Sequence, residues 1–186
     1  MRIVGGEFKG KKLSLPDDKN TRPLKDLVKE SIFNLIQHSK KINIKIKGSI
    51  VLDLFSGSGS FGLECLSRGS EKIVFFENYS KAIKILNKNI RYFKTHDKCE
   101  IFENDCFDYF NKNYNLNFLF DIIFIDPPYK EERINEIIDK IIERKILKKN
   151  GFIIIHRHKK DIIKISNKLK IFEERNYGIS KIFFGS

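Results

Sequence analysis

Tryptophan is absent from this chain, alanine occurs once (Ala82), and cysteine occurs three times. No apolar run is long enough to span a bilayer, and the opening MRIVGGEFKGKKL is too polar for a secretory signal. A cytoplasmic protein is expected. Cys65, Cys99 and Cys106 cannot all pair and show no C-x-x-C spacing. That pattern argues against a disulfide framework and predicts reduced, partly buried thiols. His38, His96, His156 and His158 are not spaced with the cysteines as ligand sets, so no metal site is expected. Repeats and low-complexity linkers are also missing. The 186 residues suit a single domain, with a monomer as the expected state.

Acidic charge is in deficit. The net charge is +12, with a pI near 9.5. Residues 1–48 carry twelve Lys/Arg against five Asp/Glu, so +7 of the +12 sits in about a quarter of the chain. Codon drift in an AT-rich genome would also enrich lysine, but it would spread the charge evenly. The clustering points to a basic arm for a polyanion, most simply a nucleic acid.

From residue 49 onward, apolar runs alternate with amphipathic stretches. SIVLDLF (49–55), KIVFFE (72–77), DIIFID (121–126) and FIIIH (152–156) read as strands, with CEIF (99–102) as a short extra one. Near-continuous apolar runs suit a parallel sheet covered on both faces. Helices are expected over 79–93, with Tyr79, Ala82, Ile83, Leu86, Ile90 and Phe93 on one face, and over 134–142. KIFEER and ISKIFF around Tyr177-Gly178 predict a closing antiparallel hairpin. The expected core, 49–186, is a doubly wound, mostly parallel α/β sheet. Residues 1–48 predict a small hairpin, turning at Gly5-Gly6 and Gly10, and a helix over TRPLKDLVKESIFNLI. The apolar stripe of that helix is Leu24, Leu27, Val28, Ile32, Leu35 and Ile36. This segment reads as an appendage to one domain.

In LDLFSGSGSFG, Gly57, Gly59 and Gly62 match G-x-G-x-x-G at a strand's carboxyl end, and Glu77 ends the next strand. A carboxylate there can accept two ribose hydroxyls, so a nucleoside-bearing cofactor is expected. Asp53 precedes the glycines, and an acid beside that loop repels a pyrophosphate. Asp53, Glu77, Asp105 and Asp126 all end strands on one rim of the sheet. That charge suits S-adenosylmethionine, which carries a sulfonium and an ammonium and no phosphate. The same acids could instead cap the following helices. Asp105 can accept from an adenine amine, with the Cys106 N–H facing a ring nitrogen and Phe107 packing on the adenine; the alternative makes Asp105 an N-cap and Phe107 core. Phe55 and Ser58 of the loop and Asn78 beside Glu77 complete the candidate cofactor set.

Asp126-Pro127-Pro128-Tyr129 ends the strand DIIFID. Each proline fixes its own φ and pushes the preceding residue out of the helical region, so the tetrad is rigid. Methylation of an exocyclic aromatic amine needs such a claw, because the nitrogen lone pair is delocalised. The Asp126 carboxylate can accept one N–H and the Pro127 carbonyl the other, while Tyr129 offers a face for the base. Transfer is then in line and driven by positioning. A paired base must leave its stack to reach the claw.

On these residues the chain resembles the RsmD-type 16S rRNA (guanine-N2)-methyltransferases over nearly its whole length. RIVGGEFKGKKL is similar to the family's opening hairpin. TRPLKDLVKESIFNLI is similar to its first helix, with Arg22, Pro23, Asp26, Val28, Glu30, Phe33 and Asn34 in register. LDLFSGSGSFGLECLSRGS, DPPY and NYGISKIFF resemble its cofactor loop, catalytic tetrad and closing strands. The resemblance implies a Rossmann-like class I fold and methyl transfer from S-adenosylmethionine to N2 of a guanine in small-subunit rRNA, on an assembling or assembled particle. Two departures stand out. Leu24 replaces a threonine, and IIIHRHKK stands where a glutamate commonly follows the fifth strand. His156 and His158 there read as satisfied edge-strand histidines or, when protonated, as phosphate contacts. Lys9, Lys11, Lys12 and Arg22 are the RNA-binding candidates, or else a solvated charged face.

DNA adenine-N6 or cytosine-N4 methylation would use the same tetrad, but no spare segment offers a target-recognition region. A catalytically silent RNA-binding assembly factor would not need Asp126, Glu77 and the glycines. An NAD oxidoreductase lacks an apparent nicotinamide-facing acid–base pair.

Overall fold

The computed structural model describes residues 1–17, 24–112, 116–162 and 164–186. In chain order the elements are α1 (Asp26–His38), β1 (Ile50–Leu54), α2 (Ser60–Ser67), β2 (Lys72–Phe76), α3 (Ser80–Phe93), β3 (Cys99–Phe102), α4 (Cys106–Asn111), β4 (Phe120–Ile125), α5 (Ile134–Glu143), β5 (Leu147–His158), β6 (Ile171–Tyr177) and β7 (Ser180–Gly185). The seven strands form one sheet in the order β3-β2-β1-β4-β5-β7-β6. β1 pairs parallel with both β2 and β4, and β7 is inserted antiparallel between β5 and β6. The strand order reverses between β1 and β4, and that switch point opens a crevice at the strands' carboxyl ends. No described helix is long and apolar enough to cross a membrane.

Alternate residues along each strand feed the two faces. Val51, Ile73, Phe75, Ile122, Phe124 and Ile154 pack in one apolar cluster with Phe61, Leu86 and Ile90 of α2 and α3. Leu52, Val74, Ile123, Ile125 and Ile153 pack in the other with Phe107, Ile137, Ile138 and Ile141 of α4 and α5. This two-sided burial is why the strands read as continuous apolar runs. β5 is longer than the 152–156 run. It starts at Leu147, and a register irregularity falls between Phe120 and Ile122 of its partner β4. Lys148 there meets Asp121 at 2.7 Å.

The N-terminal segment is welded to this core. Ile3, Phe8, Leu13, Val28, Ile32, Phe33 and Ile36 belong to the same cluster as the sheet residues Val51 and Phe124. The hairpin is a single bridge, Arg2 to Lys12, not two strands. Its glycines do more than turn the chain. A Cβ on Gly6 (φ +75°) would lie 1.9 Å from the Ser67 carbonyl oxygen, so only glycine permits the approach. The loop then completes the C-terminus of α2: Glu7 N–H donates to that oxygen at 2.7 Å, and Phe8 N–H to Ser67 Oγ at 2.9 Å.

α1 buries Val28, Lys29, Ile32, Phe33 and Ile36. The stripe expected from the sequence was displaced, since Leu27 is 69% exposed while Lys29 is fully buried. The Lys29 ammonium donates to the Arg2 carbonyl at 2.7 Å and to Ser60 Oγ at 3.1 Å, and lies 3.6 Å from Glu64 Oε2. Glu64 in turn accepts from Val4 N–H at 2.7 Å and Arg68 Nε at 2.9 Å. A buried ion pair survives only when its hydrogen bonds are satisfied this fully. Burial pulls the Lys29 ammonium below its ordinary pKa, and Glu64 and Asp26 counter it.

Candidate active site

A cavity of about 300 Å³ occupies the crevice at the carboxyl ends of the strands. It is walled by Asp53 and the glycine loop, by Glu77 to Tyr79, by Asn104 to Cys106, and by the tetrad Asp126 to Tyr129. Leu15, Pro16 and Leu24 close one side, so the N-terminal segment is part of the site.

β1 delivers the loop through strain. Phe55 has φ 63°, a conformation that non-glycine residues rarely adopt outside functional sites. Gly57 has φ +55°, and a Cβ built on it meets nothing within 4 Å, which leaves the backbone open to a ligand. Ser56 Oγ donates to the Asp53 carbonyl at 2.6 Å, and Gly57 N–H donates to Glu77 Oε2 at 2.6 Å. Glu77 Oε1 accepts from Asn78 and Tyr79 N–H at 3.0 and 2.9 Å. Glu77 therefore ties the β1 loop to the start of α3 and presents a half-buried carboxylate to the cavity.

Asp53 is 1% exposed, and its Oδ2 accepts from Gly62 N–H at 3.0 Å. Burial raises its carboxyl well above the ordinary range, and the charges of Asp126 and Glu77 add to that. The site thus gathers the carboxyls of Asp53, Glu77, Asp105 and Asp126 around one cavity. Among the described residues lining it, none is lysine, arginine or histidine. A pyrophosphate would meet only repulsion there, while a ligand bearing a sulfonium and an ammonium would relieve it. The residues present fit S-adenosylmethionine on that ground.

A raised carboxyl costs the fold nothing below its ordinary pKa, where it is protonated in both states. The cost grows as pH rises towards the raised value, because only the unfolded chain ionises freely. Asp53→Asn keeps an acceptor for Gly62 N–H and removes the charge. It is expected to stabilise the protein at pH 8 and to leave stability unchanged near pH 4, as read by denaturant unfolding. Equal effects at the two pH values would contradict the burial argument.

Asp105 is an N-cap: its Oδ1 accepts from Phe107 N–H at 2.8 Å, at the head of α4. Its Oδ2 accepts from Asn78 Nδ2 at 3.0 Å, and it also lines the cavity. The capping reading of Asp105 thus holds, and the same side chain also borders the cavity. Cys106 lines the cavity as well, with its thiol pKa pushed up by burial. Phe107 is placed differently from the expectation. Its ring is 2% exposed, outside the cavity wall, with the Arg133 guanidinium 4.0 Å from its centroid. The turn into α4 points it at the core, where it packs 5.9 Å from the ring of the cavity-lining Phe55. Gly59 is also outside the wall and serves as the left-handed residue before α2.

In the tetrad, Pro127 is buried, whereas Pro128 and Tyr129 are exposed. The Tyr129 ring meets His158 edge to face at 5.0 Å. β5 holds both ends of the tetrad. His156 Nδ1 lies 2.8 Å from Asp126 Oδ1, and Arg157 Nη2 donates to the Tyr129 carbonyl at 3.2 Å while its Nε pairs with Asp161. β5 lies between β4 and β7, so the reading of His156 as an edge-strand residue is corrected. Arg157 and Asn89 carried no expectation from the sequence. Asn89, 1% exposed on α3, accepts from Ser14 N–H at 2.9 Å and donates to the Ser58 carbonyl at 2.9 Å. It joins the N-terminal segment to the glycine loop. Its only signal was a polar residue on an otherwise apolar helix face.

The lysine candidates lie elsewhere. The Lys11 ammonium sits 5.0 Å from the Phe8 ring and 5.9 Å from that of Phe93. Phe93 ends α3, whose N-cap Tyr79 lines the cavity. Fourteen helical residues separate these ends by about 21 Å. Lys9, Lys11 and Lys12 are exposed; the Lys11 ammonium lies toward the end of α3 remote from the cavity, whereas Leu15, three residues after Lys12, lines it. Arg22 lies outside the described residues.

The family model described as Conserved hypothetical protein 95 matches residues 1–186. Ribosomal RNA small subunit methyltransferase D of Buchnera aphidicola subsp. Acyrthosiphon pisum is 31% identical over 173 residues, 93% of this chain and 86% of that protein. The protein of the same name from Haemophilus influenzae is 30% identical over 180 residues, 96% of this chain and 90% of that one. The solved structure of yhhF from Escherichia coli superposes with a TM-score of 0.82 at 23% identity, covering 100% of this chain and 96% of that one, a likeness of fold.

Proposed function

Since the chain belongs to the RsmD-type family of small-subunit rRNA methyltransferases, we propose that it methylates the exocyclic N2 amine of a guanine in 16S rRNA with S-adenosylmethionine. The observation that carries this reading is a single acidic cavity shared by the glycine loop, Glu77 and the Asp126–Tyr129 tetrad. When bound, the cofactor supplies a methyl group activated by a sulfonium. Asp53 and Glu77 would hold its cationic and ribose groups, and Asp105 its adenine amine.

The tetrad does the orienting. Asp126 and the Pro127 carbonyl accept the two amine hydrogens, and the exposed Tyr129 face receives the base. Among the described residues the cavity wall offers no cationic side chain to a phosphate, and a paired base reaches the tetrad only when flipped from its strand. The exposed hairpin lysines, with Lys11 beside Phe93 at the far end of α3 and Lys12 three residues before the cavity-lining Leu15, suit phosphates of an extended, structured RNA. Such contacts position without reading sequence.

The test is label transfer from S-adenosylmethionine to three acceptors offered in parallel: unmethylated small ribosomal subunits, naked 16S rRNA and duplex DNA. Label in the RNA-containing acceptors, and none in DNA, is expected. Label in DNA as methylated adenine or cytosine would keep the tetrad chemistry and overturn the substrate. Binding of RNA should also weaken steeply with salt, and the slope should fall when Lys9, Lys11 and Lys12 are replaced together by alanine.

A further inference from the structure

Three side chains form an unbroken line behind the tetrad. Asp126 Oδ1 lies 2.8 Å from His156 Nδ1, and His156 Nε2 lies 2.8 Å from Ser180 Oγ. The imidazole is 1% exposed and Ser180 2% exposed, whereas the Asp126 side chain retains 17% and borders the cavity. The line therefore begins at the site and ends inside the protein. Ser180 is no nucleophile there, because nothing outside can reach it.

Strand pairing creates the line. β4 and β5 run parallel with Ile125 opposite Ile155, which puts Asp126 beside His156. β7 runs antiparallel to β5 with Ile182 opposite His156 and Ser180 opposite His158, which brings the hydroxyl under the ring. Asp53, whose carboxyl feels the charge of Asp126, lines the same cavity, as does Glu77. Arg157 points to the other face of β5, towards Tyr129 and Asp161. His156 is thus the hydrogen-bond donor that the sheet brings to Asp126.

Chemistry fixes the ring's tautomer. An ionised carboxylate only accepts, so the nitrogen facing it must carry the hydrogen; in the neutral ring the Ser180 hydroxyl then donates to Nε2. We propose that His156, oriented by Ser180, is the positioning residue of the methyl transfer: its Nδ1–H occupies Oδ1 of Asp126 and leaves Oδ2 aimed at the acceptor amine. This deepens the reading of Asp126 as the amine acceptor and rests on it. A carboxylate free to rotate would present either oxygen in many directions. One pinned by a charge-assisted bond presents one oxygen in one direction.

The experiment has two parts. The first is ¹⁵N NMR of the free protein labelled at its histidine nitrogens, which reads the tautomer without acceptor or cofactor. His156 is expected to carry a proton on Nδ1, and that preference should weaken in Asp126→Ala. A proton on Nε2 alone overturns the proposal. The second part is steady-state transfer by the wild type, His156→Ala, His156→Asn and Ser180→Ala. His156→Ala should lose roughly 10- to 100-fold in kcat, with affinity for S-adenosylmethionine changed less than about threefold. His156→Asn, which places an amide N–H near the Nδ1 position, should recover most of it. Ser180→Ala should cost roughly fivefold, the worth of one net hydrogen bond. Wild-type kcat in His156→Ala, or a deficit that asparagine does not reduce, overturns the proposal. Silence of the wild type on every acceptor counts against the proposed acceptor instead, and the tautomer still decides the role of His156.

Discussion

Asp126→Asn is expected to abolish methyl transfer, with a loss in kcat of at least roughly 100-fold, while leaving affinity for S-adenosylmethionine near that of the wild type. The amide is nearly isosteric and keeps an acceptor for His156 Nδ1–H. It replaces the oxygen facing the amine by a donor, which opposes the incoming N–H. Asp126→Asn also removes a negative charge that raises the Asp53 carboxyl, so the variant should fold at least as well as the wild type. Asp126→Ala should lose as much activity, but it strands the buried His156 donor and mixes two effects. If the carboxylate acts only as transfer proceeds, kcat and kcat/KM fall together. A variant with raised KM and unchanged kcat would make Asp126 a simple binding group.

The largest effect on stability is expected at Lys29. Lys29→Ala leaves Glu64 buried with its charge only partly matched by Arg68, and also orphans the Arg2 carbonyl. Removing one member of such a pair costs about 3–5 kcal/mol, a large share of the roughly 5–15 kcal/mol that a domain possesses. The damage should be local first. Residues 1–17 would loosen from α2, and Leu15 and Pro16 would leave the cavity wall. Limited proteolysis should cut the N-terminal segment of the variant early, and cofactor affinity should fall with it, since Ser60 both bonds Lys29 and lines the site. The double variant Lys29→Met, Glu64→Gln removes both charges and keeps an acceptor for Val4 N–H. It should regain much of the loss. Undiminished stability in Lys29→Ala would mean that the ion pair contributes little to docking the segment.

Much of this architecture was legible in the sequence because both faces of the sheet are buried. Runs such as DIIFID and FIIIH have no other stable home than a covered parallel strand. The glycine loop and tetrad were legible for a local reason: Gly57 permits a left-handed turn and the paired prolines fix their own φ, whatever surrounds them. Contacts set by strand register were not legible. Nothing local in IIIHRH says that residue 156 will face residue 126, since the pairing of Ile125 with Ile155 is a property of the assembled sheet. The stripe of α1 misled at Leu27 because apolar spacing treats lysine as a surface residue, whereas Lys29 is matched by Glu64 on α2. The hairpin lysines were sound as charged surface, but sequence does not say at which edge of the sheet a hairpin docks. Phe107 went astray by one turn of geometry, as the Asp105 cap starts α4 and swings the ring inward.

The central claim is the identity of the methylated atom. Small ribosomal subunits lacking the modification would be incubated with the protein and S-adenosylmethionine carrying a labelled methyl group, and their rRNA digested to nucleosides for mass spectrometry. The account predicts label in N2-methylguanosine and in no other nucleoside. Label in a methylated adenosine or cytidine, or on a ring nitrogen of guanosine, would contradict it, because the tetrad would then be holding something other than the exocyclic amine of guanine.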